Sequence, residues 1–336
     1  MGVRFLMNVD IHTHQQYSAA HHRPGGGFRN VWGSARAASF FNAAKWLAAR
    51  SFRRKDGTLP EFEQTDPALL AAPPQRLRIT WVGHSTTFIQ TPRHGILTDP
   101  VFSHRASPLS FVGPDRKPAL PLRIDYLPGV DAVLISHDHY DHLDERSIKR
   151  IQERFSPVFM VPLGVAEVVQ RWGARDVVEL DWWQYVDLLG IRFHCLPAKH
   201  FSGRNITGRD ENLWASWYLH VQDAGLQVYY AGDSAYAGHF SEIREHLGAP
   251  DVALIPIGAY LPRWMMEPVH MDPHEAIEAF QDLRAGHFLP IHWGTFDLAD
   301  EPISEPARLV GEEMCERGLS DRFHALPIGG SFMLPE

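Results

Sequence analysis

With 336 residues the chain can bury a large core and is long for one average domain. Its net charge of −8 argues against a general nucleic-acid binder, which is usually basic. No apolar run reaches the ~18 residues that a spanning helix needs, and the N-terminus lacks the three-part pattern of a signal peptide, so a soluble, cytoplasmic chain is expected.

The first 75 residues are the least regular. Val9-Asp10-Ile11-His12-Thr13-His14 is a strand ending in His-x-His, a pattern that also opens amidohydrolase barrels. The βα alternation of a barrel does not follow, so His12 and His14 read as solvent-exposed or incidental. His21-His22-Arg23-Pro24-Gly25-Gly26-Gly27 reads as a loop, and 34–50 as a helix capped by Ser34. Ala71-Ala72-Pro73-Pro74 closes the region like a linker, which predicts an extension over 1–75 packed on a main domain over 76–336.

From Arg76 the pattern turns to strands, over 77–84, 86–91, 96–99 and 131–135, with a long Pro-, Gly- and Ser-containing loop over 101–128. A helix over 144–155 follows with Asp144 as its cap, then a strand at 158–161, a helix at 164–172 and strands at 176–180, 191–196, 214–221, 227–231 and 251–257. Asp272-Pro273-His274-Glu275 opens a helix running to about Arg284, with Asp as cap, Pro at the first position and Glu at the third. A strand at 287–291, a helix at 305–317 and a strand over 322–332 complete the chain. Strands in meanders, later interleaved with helices, imply an α/β sandwich of two mixed sheets with helices outside.

Two cysteines, Cys195 and Cys315, show no C-x-x-C spacing and read as reduced and packed. Histidine is the outlier, with 20 in the chain. Four of the candidate ligands fall in Ser136-His137-Asp138-His139-Tyr140-Asp141-His142, directly after the apolar run Ala132-Val133-Leu134-Ile135. In an extended segment His137 and His139 point the same way, because Asp138 alternates with them. Asp141 and His142 fall where the chain turns toward a helix and can face a second point. One ion would not use all four and stay open for catalysis, whereas two adjacent ions would. Imidazole and carboxylate donors suit zinc, with iron or manganese as less tightly bound alternatives. The search for further ligands at later strand ends finds His200, Asp233 and His292.

In that order, and with an earlier acid in Leu97-Thr98-Asp99-Pro100, the sequence resembles the metallo-β-lactamase superfamily. The resemblance is closer to the branch of N-acyl-phosphatidylethanolamine-hydrolysing phospholipase D and its bacterial homologues. It is carried by Trp81-Val82-Gly83-His84-Ser85-Thr86, Ala231-Gly232-Asp233-Ser234, Pro262-Arg263-Trp264 and Ile291-His292-Trp293-Gly294-Thr295-Phe296, among segments spanning about 76–300. It implies the αββα sandwich and two Zn2+ ions, one held by His137, His139 and His200 and the other by Asp141, His142 and His292, with Asp233 between them. A hydroxide bridging the ions would attack a phosphodiester of an N-acyl-phosphatidylethanolamine-like lipid, with Asp141 and Asp233 in the catalytic centre. His270 matches a position near the substrate in that branch and would help the leaving oxygen depart, though a histidine just outside the helix cap is an equal reading. Asp99 reads as a residue that orients the metal loop, and His84 as either that or a structural hydrogen bond. Trp182-Trp183 reads as core, and Trp264-Met265-Met266 as a loop near substrate. Peripheral contact with the inner face of a membrane stays open, and no nucleic-acid partner is expected. The alternative is a lactonase or another C–O or C–N hydrolase of the same fold. A true β-lactamase, a flavodiiron-type redox module and a nuclease fit the motifs and charge less well.

Overall fold

The computed structural model describes residues 9–14, 19–33, 46, 57–109, 111–204 and 208–335. Two seven-stranded mixed sheets face each other, with helices on their outer sides. The first contains, in spatial order, β14 (Ser331–Met333), β2 (Arg78–Gly83), β3 (Thr86–Gln90), β4 (Gly95–Thr98), β5 (Ala132–Leu134), β6 (Val158–Pro162) and β7 (Asp176–Leu180). The second contains β1 (Ile11–Thr13), β8 (Gln184–Leu188), β9 (Ile191–Leu196), β10 (Ser216–Val221), β11 (Leu226–Tyr230), β12 (Val252–Pro256) and β13 (His287–Ile291).

Strand direction is what gathers the site. Strands β4 to β7 are parallel, and so are β11 to β13. Strand β2 is antiparallel to β3, which is antiparallel to β4, so β2 and β4 run the same way. By the same step through β10, β9 runs with β11. The C-terminal ends of β2, β4, β5, β9, β11 and β13 therefore open on one edge, where ligands of open α/β sheets usually bind.

The sequence explains why these strands stay put. Strands β4 and β12 are buried along their whole length, as their near-continuous apolar or small residues require, and β2 and β3 are buried too because Arg78, Thr87 and Gln90 on them are hydrogen-bonded. On the second sheet Trp217 and Tyr230 face the first sheet, reaching Ile135 O and Asp99, while Tyr218 and Tyr229 face outward, Tyr229 against Phe240 of the helix His239–Leu247. All four are almost wholly buried, and a side chain of that size contributes roughly 1.5–3 kcal/mol. The helix Glu145–Phe155 covers the outer face of the first sheet with Ile148 and Ile151, and Asp144 caps it by accepting from Ser147 N. Arg78, also buried, donates to Leu69 O and Ala72 O and so fastens the short helix Pro67–Ala71 to β2.

Several expectations need correction. The C-terminal strand covers only Ser331–Met333, because Ser320–Arg322 forms a 3-10 turn and the residues between make only isolated bridges, Phe323 with Phe288 and Ile328 with Phe62. Arg263–Met266 is a short helix rather than a loop, with Trp264 exposed. Cys315 is exposed, while Cys195 is buried as expected. His14 is half-buried and shares a hydrogen bond of 3.1 Å with His194, because β1 pairs with β8 at the sheet edge, so it is not incidental. Strand β8 and the helix His239–Leu247 were not foreseen. Of the helix expected over 34–50 only Trp46 is described, and it is helical; the rest lies outside the described residues. No helix among the described residues is long and apolar enough to cross a membrane.

The helix Pro273–Leu283 has the full capping box: Asp272 accepts from Glu275 N, and Glu275 accepts from Asp272 N. Replacing Asp272 with Ala is expected to cost about 1 kcal/mol of stability. Urea unfolding would measure it, and an unchanged midpoint would mean that packing alone sets this helix.

Candidate metal centre

Each strand end contributes one part. The loop after β5 carries the motif. His137 and His139 do point the same way, with His137 Nε2 2.8 Å from His139 Nδ1. Asp138 points to the opposite side and accepts from Gly203 N and Asn212 Nδ2, which anchors the loop from behind. His200, beyond β9, brings Nε2 within 3.3 Å of His139 Nδ1 and fixes its ring through Nδ1 on Val269 O at 2.8 Å. These three histidines form one group whose ligating atoms all lie within 4.8 Å of one another.

Asp141 and His142 turn to a second point, where His84 and His292 meet them. His84 Nε2 lies 2.9 Å from Asp141 Oδ2, so the histidine after β2 touches the carboxylate directly. Asp233 sits between the groups. Its Oδ2 is 3.1 Å from His142 Nε2 and 3.0 Å from His292 Nε2, and 3.7 Å and 4.0 Å from Nε2 of His200 and His137. Gly232 makes that approach feasible: its φ is +59°, and a Cβ there would come within 2.5 Å of Ser136 Cβ. His84, Asp99 and His292 themselves have positive φ, a strained conformation that tends to cluster at functional sites.

Asp99 is the brace. Its carboxylate accepts from Ser136 N at 2.7 Å, Ser136 Oγ at 2.5 Å and Tyr230 OH at 2.5 Å, and pairs with His142 Nδ1 at 2.6 Å. It orients the motif loop, as its sequence position implied. Tyr230 was not foreseen, because nothing in a strand of apolar and aromatic residues marks one hydroxyl as the link between two sheets. Trp217 ties the same loop from β10 by donating to Ile135 O. Trp182 and Trp183 are buried, as expected of core residues. His270 comes to the edge of the site, with Nδ1 3.9 Å from Asp233 Oδ2 and its ring stacked beside His292. A third group, unrecognised in the sequence, joins His21 Nε2 and His22 Nε2 to the two oxygens of Asp181 at 2.7 and 2.8 Å. It shares no residue with the first two.

The charges follow from burial. Burial holds the imidazoles of His137, His139 and His200 below the usual histidine range, which keeps their nitrogens free to ligate. Burial, helped by His292, takes His84 down to about 3, and burial takes His270 down to about 4. Burial alone would raise the carboxyls of Asp141 and Asp233, but the charge on His142 overrides it and holds both well below the usual carboxylate range. Burial also opposes charge on His142 and His292. There Asp233 and Asp141 win, raising His142 and pushing His292 up to about 9.

These residues suit metal ions. Nε2 of His142, Nε2 of His292 and Oδ1 of Asp233 are buried and make no hydrogen bond among the described residues. The short distances from the two histidines to Asp233 are charge contacts without hydrogen-bond alignment. A set of imidazole nitrogens and carboxylate oxygens in two adjoining groups fits two neighbouring ions of the zinc, iron or manganese kind.

Comparison with known proteins agrees with this geometry. A family model described as the beta-lactamase superfamily domain matches residues 94–293. An uncharacterized protein of Mycobacterium tuberculosis is 41% identical over 245 residues, covering 71% of this chain and 64% of that protein. This chain thus spans a little under two thirds of that relative's length. The N-acyl-phosphatidylethanolamine-hydrolyzing phospholipase D 1 of Caenorhabditis elegans is 36% identical over 250 residues, covering 71% of this chain and 70% of that protein. Among solved structures, a possible metal-dependent hydrolase from Veillonella parvula shares the fold, with a TM-score of 0.63 at 18% identity over 76% of this chain and 99% of that one.

Two tests follow. At pH 7 the metal-free chain carries protons on His142 and His292, since both are raised above neutrality. Ligation needs the neutral ring, so filling the site should release about two protons per chain, and metal affinity should fall as pH drops. Calorimetry in buffers of different ionisation enthalpy counts those protons, and a count of zero would refute the assigned charges. Tyr230→Phe should cost about 1–3 kcal/mol of stability and weaken metal retention about 10- to 100-fold in a chelator competition. Lower stability with unchanged retention would make Tyr230 a packing residue only.

Proposed function

The chain belongs to the metallo-β-lactamase superfamily, and on that footing we propose that it is a dinuclear zinc phosphodiesterase of phospholipase D type. The substrate class is an N-acyl-phosphatidylethanolamine-like phospholipid. The observation that carries the reading is the placement of Asp233, whose Oδ2 lies within 4.0 Å of Nε2 on four histidines drawn from both groups. A carboxylate so placed would serve two neighbouring ions at once. The relationship to the C. elegans phospholipase, at 36% identity, supports the phosphodiester as the bond cleaved.

His137, His139 and His200 would hold one ion, and Asp141, His142 and His292 the other. Bound there, two ions would supply Lewis acidity to a phosphoryl oxygen and lower the pKa of a water toward ~7. The chain's own residues do the rest. Asp99 keeps Nδ1 of His142 engaged, so that only Nε2 faces the centre. Val269 O does the same for His200. Asp141 accepts from His84, which aims one carboxylate oxygen into the second group. His270, neutral at pH 7, can direct an N–H toward a departing oxygen but carries no charge to donate. In this reading Asp141, Asp233 and His270 are the side chains that act on the reacting groups.

Asp233→Asn should reduce hydrolysis of bis-p-nitrophenyl phosphate to background while circular dichroism stays native. Metal analysis of the wild-type chain should find close to two ions. Assayed side by side with N-acyl-phosphatidylethanolamine and a lactone panel, the phosphodiesters should turn over; turnover of lactones alone would replace this reading with that of a lactonase.

A further inference from the structure

Beside the motif loop lies a cavity of about 440 Å3. Its walls come from the loop after β4, the start of the helix Glu145–Phe155 and the segment after His200. Four cationic side chains line it, Arg105, Arg146, Lys149 and Arg204, against the two carboxylates Asp144 and Glu145. Both carboxylates are already engaged. Asp144 accepts from Ser103 Oγ, Ser147 Oγ and Ser147 N, and Glu145 from Lys149. The three guanidinium groups form no ion pair with a carboxylate among the described residues. Arg105 donates to Gly113 O, and Arg204 to the carbonyls of Asp138 and Leu143. Arg204 is moreover flanked by the rings of Tyr140 and Trp172, 4.1 and 4.8 Å from its central carbon, which fixes its plane.

Three guanidinium groups without a carboxylate pair among the described residues line one cavity, and an anion there would balance their charge. The planar fork of arginine matches the oxygens of a phosphate, and the hydroxyl of Ser107, which among the described residues only accepts from Leu109 N, adds a donor. An acyl chain is the wrong occupant for such a lining. We infer that the cavity formed by Arg105, Arg146 and Arg204 is a binding site for a phosphate group, separate from the metal centre. It adjoins that centre through Tyr140, which stands between His139 and Asp141. The phosphate can come from a soluble ion or from a lipid headgroup. The same loop carries Leu109, Phe111 and Val112, with Phe111 76% exposed, an apolar tip that would meet a lipid surface.

The test is titration of inorganic phosphate into the metal-loaded full chain, followed by calorimetry, with wild type, Arg105→Ala/Arg146→Ala and Asp233→Asn. Wild type and Asp233→Asn should each bind phosphate in the cavity, and the double arginine variant at least about tenfold more weakly, with affinity falling as salt is raised. Equal binding by the double variant, or complete loss in Asp233→Asn, would overturn the site by assigning all phosphate to the metal centre. Vesicles of phosphatidic acid in phosphatidylcholine, against phosphatidylcholine alone, then separate the sources: competition with inorganic phosphate that needs Arg105 and Arg146 identifies the headgroup, and its absence the soluble ion. Because Asp233→Asn removes hydrolysis in the proposed mechanism yet keeps this binding, failure of one reading leaves the other standing.

Discussion

Two carboxylates that face the same two histidines, Asp141 largely and Asp233 almost wholly shielded from water, set the terms for the rest of this molecule. Taking an ionised carboxylate out of water costs several kcal/mol, and that cost is offset only by positive charge held close. The chain meets the demand with a wall of imidazoles. His142 and His292 are raised above the usual histidine range because of it, and the same nitrogens are the candidate metal ligands. A proton and a metal ion thus compete for one place, which links metal binding to pH.

Holding that arrangement requires stiffness, and the fold supplies it from both sheets. Asp99 from the first sheet braces Ser136 and His142, while Tyr230 from the second reaches across to brace Asp99. Asp138 and Trp217 hold the motif loop from behind. The strained backbone at His84, Asp99 and His292 is tolerated because these contacts over-determine it. The loops beside the centre are built on another logic. Glu301 accepts from the backbone of Ala259, Tyr260 and Leu261, which steadies the segment leading to His270. The loop after β4 instead offers cations and an exposed apolar tip.

Most strands were legible because their residues alternate or run apolar between turn residues. The limits of β7, β9 and β13 match the pattern, and Asp144 and Asp272 cap the helices that they announce. The misses share a cause. Strand β8 carries Gln184 and Asp187 on a half-exposed edge, so it lacks a clean apolar period. The helix His239–Leu247 opens on a glycine with no capping side chain. His14 gains its role only from pairing with a strand some 170 residues away. Its neighbour His194 gave no local sign of that pairing.

The sequence by itself determined the donor set: His-x-His-x-Asp-His after an apolar strand, then His200, Asp233 and His292 each just beyond a later strand. That is readable because ligand chemistry depends on residue type and on position relative to a strand end, both of which are local. The resemblance implied how the donors group; only the tertiary structure decided how close the two groups stand, that Asp233 Oδ2 reaches histidines of both, that His84 belongs with Asp141, and that Tyr230 completes the brace. Those facts depend on which strands run the same way and how two sheets face each other. They are set by burial of side chains far apart in the chain, and no short window of sequence contains them.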